Sequence, residues 1–100
     1  MIARVSAIQI RKDKEERAIE IIKGVLKEAE TVKGYRGAQF LTDSDTGKGY
    51  VISYWDSRED AIANEESGWD QEQIDKFDEV YAVPLTLLGR YNVLYLDWHN

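Results

Sequence analysis

The order of strand-like and helix-like segments constrains this chain more than any other feature of its sequence. Four segments, residues 2–10, 35–42, 50–55 and 86–96, are rich in Ile, Val, Tyr and Leu and predict β-strands. Between the first two strands, and again between the last two, apolar residues recur at the helical spacing of three and four. The order β-α-β-β-α-β predicts an α+β, ferredoxin-like sandwich: a four-stranded antiparallel sheet with the helices on one face.

Polar residues and glycines predict where the helices begin and end. Gly34 is suited to the left-handed position after the first helix. The second helix is interrupted at Ser67-Gly68, restarts at Asp70, and the segment closes at Pro84. Two residue pairs have the spacing of a helix start with a capping side chain: Asp13 with Glu16, and Ser57 with Asp60.

Length and charge narrow the class of protein. One hundred residues predict a single domain over residues 1–100. A net charge of −6 without a basic patch argues against nucleic acid as a partner. No apolar run approaches a membrane span, the first residues do not resemble a signal peptide, and there is no cysteine. We therefore expect a cytoplasmic protein without a membrane or nucleic-acid partner.

The strands are apolar on both of their faces. The helices can cover only one face of the sheet, so a second cover is needed, and a large exposed apolar patch is typical of an interface. We therefore predict a twofold homodimer; the alternative is that some of these side chains are simply exposed. The alternating sets are Ala3, Val5 and Ala7 against Ile2, Ile8 and Ile10; Val51 and Trp55 against Tyr50, Ile52 and Tyr54; Leu88, Leu94 and Leu96 against Leu87, Tyr91, Val93 and Tyr95.

Three features of the sequence carry a family resemblance. They are the strand opening at Ile2, the Gly34-Tyr35-Arg36-Gly37 stretch before the hairpin, and the Tyr54-Trp55-Asp56-Ser57-Arg58-Glu59 stretch into the second helix. With these features the chain resembles the antibiotic biosynthesis monooxygenase-like group of the dimeric α/β-barrel superfamily. The resemblance implies a pocket between sheet and helices, dimers that pack their open sheet faces together, and members that include cofactor-independent oxygenases of phenolic, quinol and polycyclic aromatic compounds.

The resemblance also implies candidate catalytic residues. Members commonly place an Asn and a Trp near the second helix, which points to Asn64 and Trp69; the alternatives are a solvated helix residue and a core residue. Tyr54 is a third candidate because it precedes that helix, although such tyrosines more often serve packing. Haem-degrading members use a helical His, and residues 57–83 contain none, so we expect neither haem nor another cofactor.

Further residues are candidates for binding a small apolar or aromatic molecule. Arg36 and Arg90 lie in apolar strands and could reach a pocket or an interface ion pair. Trp55 and Phe77 could line the pocket or fill it. Other polar strand residues leave the same alternatives open: Asn92, Arg4, Ser6, Gln39 and Ser53. The single histidine, His99, is a terminal residue, so no metal site is predicted.

Two classes of function remain from the sequence. One is a cofactor-independent monooxygenase, in which the protein holds an aromatic substrate, helps to deprotonate it and excludes water. The other is a noncatalytic homodimer of the same fold that binds a small ligand or only assembles, because a fold alone does not define an activity.

Overall fold

The chain folds into one antiparallel sheet with three helices. The computed structural model describes residues 1–99. Its elements are β1 (Ile2–Gln9), α1 (Glu15–Ala29), β2 (Tyr35–Thr42), β3 (Lys48–Trp55), α2 (Arg58–Glu66), α3 (Trp69–Asp75) and β4 (Thr86–Asn92). The strand order is β2-β3-β1-β4, so the α+β ferredoxin-like prediction is confirmed.

Several predicted boundaries shift, each for a local reason. The backbone of Ser57 is extended and its hydroxyl accepts a hydrogen bond from the Asp60 amide at 3.1 Å, as predicted for the start of α2. Asp13 instead has a φ of 67°, and α1 begins at Glu15 without a capping side chain. The last strand was predicted through residue 96 but ends at Asn92, because Asn92 pairs with Ile2, the first residue of β1.

A β-bulge changes which side chains of β4 face the helices. The β1–β4 register shifts between Val5 and Ser6, so that Leu87 pairs with Ser6 while Tyr91 pairs with Ala3. Leu87 and Tyr91 were predicted to share a face, and that prediction is wrong. Leu87 lies on the helix-covered face and Tyr91 on the open face, since Ser6 and Ala3 point to opposite sides of β1.

The covered face of the sheet contains two separate apolar clusters. One cluster surrounds Ile8, Ile10 and Phe77, with the Phe77 and Tyr81 rings stacked at a centroid distance of 4.9 Å. The other joins Ile2 to Trp55 and Ala61. Alternation along β1 therefore places Arg4 and Ser6 between the two clusters, on the same face as the isoleucines. This polar interval in the middle of the core positions the candidate site.

Candidate active site

Arg4 is a buried cation held by five neighbouring groups, one of which is the Glu65 carboxylate at 3.4 Å from its Nη1. Only 7% of the residue is exposed. Its Nη1 donates to the Asn64 Oδ1 at 3.1 Å, its Nη2 donates to the Asp70 Oδ1 at 3.1 Å, and its guanidinium lies 5.0 Å from the centre of the Trp55 ring. Nη1 also donates to the Ala61 carbonyl at 3.3 Å, which ties the cation to the backbone of α2. These contacts fix the guanidinium in one position.

Two carboxylates beside Arg4 have pKa values shifted in opposite directions. Burial raises the pKa of Asp70, the nearby charge of Glu65 adds to this shift, and Arg4 opposes it only in part. Burial also acts to raise the pKa of Glu65, but hydrogen bonds and positive charge from Arg90 and Arg4 outweigh it, so that pKa is lowered. Glu65 is therefore the anion that neutralises the arginines, while Asp70 is the carboxyl group whose protonated form is favoured by burial.

An internal cavity and an open cleft meet at this cluster. The cavity lies between the sheet and the helices and has a volume of about 70 Å³. The cleft lies outside it, beside α3 and the segment before β4, and has a volume of about 690 Å³. The two spaces share part of their walls and so adjoin each other at the Arg4 cluster. The shared residues are Arg4, Ser6, Asp70, Ile74, Tyr81 and Leu85.

Two buried polar atoms at the site have no hydrogen-bond partner among residues 1–99: the Asn64 Nδ2 and the Gln73 Oε1. Asn64 is 4% exposed and Gln73 is 5% exposed, so neither side chain is satisfied by bulk water. The Oδ1 of Asn64 is already used by Arg4. Burial without a partner is uncommon for such groups and marks both as candidates for contact with a ligand or an ordered water.

The structure brings several of the predicted residues to this region. Trp69 and Trp55 line the internal cavity beside Arg4. Asn64 contacts Arg4 from α2, although it is not part of the cavity wall. Arg90 is bonded to Glu65 and so joins the cluster through that carboxylate. Their catalytic and binding roles stay predictions.

Three other predicted residues lie elsewhere. Tyr54 points to the open face, because its neighbour Trp55 points to the helices, and its hydroxyl donates to the Gln39 Oε1 at 3.0 Å. Phe77 is 2% exposed, packs in the apolar core and is not part of either cavity wall. Arg36 is exposed and paired with Asp56. The structure therefore does not bring Tyr54, Phe77 and Arg36 together with Asn64 and Trp69.

Asp70 and Gln73 of the cavity walls were not singled out as site residues from the sequence, which linked them only to the restart of the second helix. Tyr81 is one of several tyrosines that the sequence offers as possible contacts of an aromatic ligand, with packing as the more frequent alternative. Burial and the negative charge of Asp70 raise the pKa of Tyr81, so its phenol stays protonated. The spacing of Asp70, Gln73 and Ile74 by three and four residues, which places them on one helical side, could have linked them.

Neither a cluster of metal ligands nor a membrane-spanning helix is present in the part of the chain that is described. Across residues 1–99, no three His, Asp or Glu side chains are grouped as metal ligands. Within the same range, no helix combines the length and the apolar character that a bilayer crossing requires.

The fold and this site define an α+β sandwich with a buried charged cluster between its sheet and its helices. The family model of the antibiotic biosynthesis monooxygenases matches residues 1–80. The chain therefore belongs to the antibiotic biosynthesis monooxygenase family, as the resemblance implied.

Solved structures with the same fold come from several organisms. The chain is similar to a Nitrosomonas europaea protein provisionally named an antibiotic biosynthesis monooxygenase, with 19% identity, a TM-score of 0.74 and coverage of 94% of this chain and 90% of that one. It is similar to Rv0793 from Mycobacterium tuberculosis, with 14% identity, a TM-score of 0.69 and coverage of 95% and 96%.

A third similar structure contains a ligand. It is a monooxygenase from the gene ActVA-Orf6 of Streptomyces coelicolor in complex with nanaomycin D, with 12% identity, a TM-score of 0.77 and coverage of 99% of this chain and 92% of that one. Identities this low show a shared fold and nothing finer. Among curated protein sequences, none matches this chain.

Proposed function

We propose that this chain, as a single domain, is a cofactor-independent monooxygenase that oxidises a phenolic, quinol or polycyclic aromatic small molecule. The observation that carries the proposal is the shared wall of the cavity and the cleft, where Arg4, Asp70 and Tyr81 meet. A cleft of about 690 Å³ is within the range of small-molecule sites, whereas the internal cavity of about 70 Å³ is below it. The ring system therefore lies in the cleft with one end directed inward.

The proposed chemistry uses the electrons of the substrate itself. An anthrone-type substrate loses a ring proton, its carbanion reacts with O2, the methylene becomes a carbonyl, and the second oxygen atom leaves as water. Asp70 is placed to accept the proton, since its raised pKa brings it closer to the pH at which the reaction would run. Arg4 supplies positive charge beside the anion that forms, and Trp69 offers a flat wall for the rings.

A specific observation also favours the noncatalytic alternative. Trp55 is 1% exposed and occupies much of the space beneath the helices, and the internal cavity that remains is small. A protein that only binds the edge of an aromatic ligand, without exclusion of water from the reacting carbon, would have this shape. The two functions differ in whether O2 is consumed.

We also propose that the chain acts as a homodimer. The open face of the sheet presents apolar side chains, with Tyr50 49%, Leu41 45% and Tyr91 51% exposed. The residues that follow β4 add Leu94, Tyr95 and Trp98, which are 93%, 85% and 68% exposed. An apolar surface of this extent is stabilised by a second copy packed against it.

Oxygen uptake tests the enzymatic proposal. Purified protein is incubated with a panel of anthrones and hydroquinones in an oxygen-electrode cell. We expect uptake with at least one substrate, a loss of about 100-fold or more in Asp70→Asn, which removes the base, and a loss of about 10-fold or more in Asn64→Ala and Trp69→Phe, which disturb positioning. No uptake across the panel would leave the noncatalytic alternative.

A matched control separates the site from general damage. Asn92→Ala changes an exposed asparagine of β4 that lines neither the cavity nor the cleft. It is expected to keep the wild-type rate. An equal loss in Asn92→Ala would show that the losses in Asn64→Ala and Trp69→Phe are not specific to the site.

A further inference from the structure

Gln73 has an acceptor atom that the fold leaves unused. It lies on α3, is 5% exposed, and its Oε1 has no hydrogen-bond donor among residues 1–99. Its side chain lines the internal cavity but not the outer cleft. A buried amide oxygen without a donor is uncommon in native structures, so on a side chain that lines a cavity it is an acceptor for a donor group of a ligand that enters.

Some of the other polar groups of the cavity wall already have partners, and the hydroxyl groups of Ser6, Tyr35 and Tyr81 also belong to residues that line it. The Ser53 Oγ accepts a hydrogen bond from the Trp55 Nε1 at 2.9 Å, and Arg4 and Asp70 are bonded to each other. Most of the remaining wall is aliphatic or aromatic: Val25, Leu26, Ala29, Phe40, Val51 and Trp69. A ligand group that enters therefore meets a largely apolar pocket beside a buried acceptor, the Gln73 Oε1, that has no donor among residues 1–99.

The size of the cavity limits what can reach Gln73. About 70 Å³ admits one ring edge with a small substituent, while the bulk of an aromatic ligand stays in the cleft of about 690 Å³. A hydroxyl group is small, is compatible with the apolar wall on its carbon side, and carries the donor that the Gln73 oxygen lacks.

We propose that Gln73 accepts a hydrogen bond from a ring hydroxyl of the aromatic substrate and thereby selects hydroxylated ring ends over unsubstituted ones. The inference rests on the proposed function in one respect, that the ligand is aromatic. A site with a buried acceptor rejects the analogue without the hydroxyl, because the acceptor then stays unpaired.

Equilibrium binding tests this selection without any turnover. Dialysis under nitrogen compares 2-naphthol with 2-methylnaphthalene, in which a methyl group of similar size replaces the hydroxyl, and absorbance measures the bound probe. We expect 2-naphthol to bind the wild-type protein about tenfold more tightly, and the ratio to fall to about one or two in Gln73→Leu. Gln73→Glu keeps an acceptor and is expected to keep the ratio within about threefold of wild type.

Gln9→Leu is the control, because Gln9 is on β1 away from both cavities and binds the Thr46 carbonyl. It is expected to keep the wild-type ratio. Equal binding of the two probes by the wild-type protein, no binding of either, or an unchanged ratio in Gln73→Leu would overturn the inference. If Gln73→Leu does not fold, Gln73→Met takes its place with the same expected ratio. Absence of oxygen uptake would instead remove the proposed reaction and leave this ratio as it is.

Discussion

The two faces of the sheet differ in where they carry polar groups. The covered face has a buried arginine at its centre, with carboxylates, an amide and a tryptophan ring around it. The open face instead carries exposed aromatic and aliphatic side chains, such as Tyr50 and Leu41. Each face therefore lacks a different kind of partner. The covered face has unpaired polar atoms that suit a ligand, and the open face has uncovered apolar surface that suits a second copy.

The largest expected effect comes from removal of the cation of the covered face. Arg4→Met leaves Asp70, Asn64 and Glu65 without their shared donor, so we expect the free energy of unfolding to fall by about 3 kcal/mol, measured by urea denaturation. Arg17→Met is the matched control: Arg17 also pairs with two carboxylates, but its side chain is 50% exposed, so the loss should be much smaller than in Arg4→Met. Similar losses in the two variants would show that the buried Arg4 stabilises the fold no more than an exposed arginine does.

The next effect concerns the open face. Tyr50→Lys places a charge on this face and a second one on the partner copy, so we expect the dimer dissociation constant to rise by about 30-fold or more, measured by analytical ultracentrifugation. Ile19→Lys makes a comparable change at an exposed position of α1 and should leave the dimer intact. A wild-type protein that is already monomeric at micromolar concentration would contradict the homodimer proposal.

A smaller expected effect is on the pH dependence of stability, to which Asp70 and Glu65 of the covered face contribute with opposite signs. The pKa of Asp70 is raised, so its contribution stabilises the fold at low pH and is lost as pH rises through that pKa. The pKa of Glu65 is lowered, so its contribution is present near neutral pH and is lost as pH falls through that pKa. Between about pH 7 and about pH 4, the fall in unfolding free energy should be steeper than wild type in Asp70→Asn and shallower in Glu65→Gln. Shifts of the same sign in both variants would contradict this assignment.

The smallest expected effect is that of Tyr54→Phe. Because the Tyr54 hydroxyl bonds to Gln39 on the open face, its loss should change oxygen uptake by less than about twofold. A loss of oxygen uptake above about tenfold, with the fold and the dimer intact, would show that Tyr54 takes part in the reaction. Catalysis would then involve both faces of the sheet.

The residues of β1 that face the helices could be predicted from local sequence, but the partners of Arg4 could not. The segment IARVSAIQI places Arg4 and Ser6 on the same side as Ile2, Ile8 and Ile10 by alternation alone. The partner carboxylate, Asp70, is 66 residues away in the chain, so only the packing of α3 over β1 joins it to Arg4. Resemblance led to Asn64 and Trp69, but no local pattern could show that Gln73 would be buried without a donor.

The open face was predicted from composition, and its details depended on register. Both alternating sets of the strands are apolar, which predicted an uncovered face correctly. Tyr54 was predicted to be a site residue because it lies next to α2 in sequence. Adjacent residues of a strand point in opposite directions, and Trp55 points to the covered face, so Tyr54 points to the open face. The strand predicted through residue 96 instead ends at Asn92, opposite Ile2, and beyond it the Val93 amide donates a hydrogen bond to the Met1 carbonyl at 3.0 Å.

The bulge opposite Val5 and Ser6 inserts one extra residue, Leu88, into β4. On one side of Leu88 the strand supplies Leu87 to the wall of the cleft, and on the other side it supplies Tyr91 to the open face. Deletion of Leu88 would leave Leu87 opposite Ser6 and Gly89 opposite Val5, so the strand would alternate without a break and each residue would keep its face. The extra residue therefore lets Leu87 and Tyr91, which stand four positions apart and would share a face in an unbroken strand, serve the cleft and the open face from the same strand.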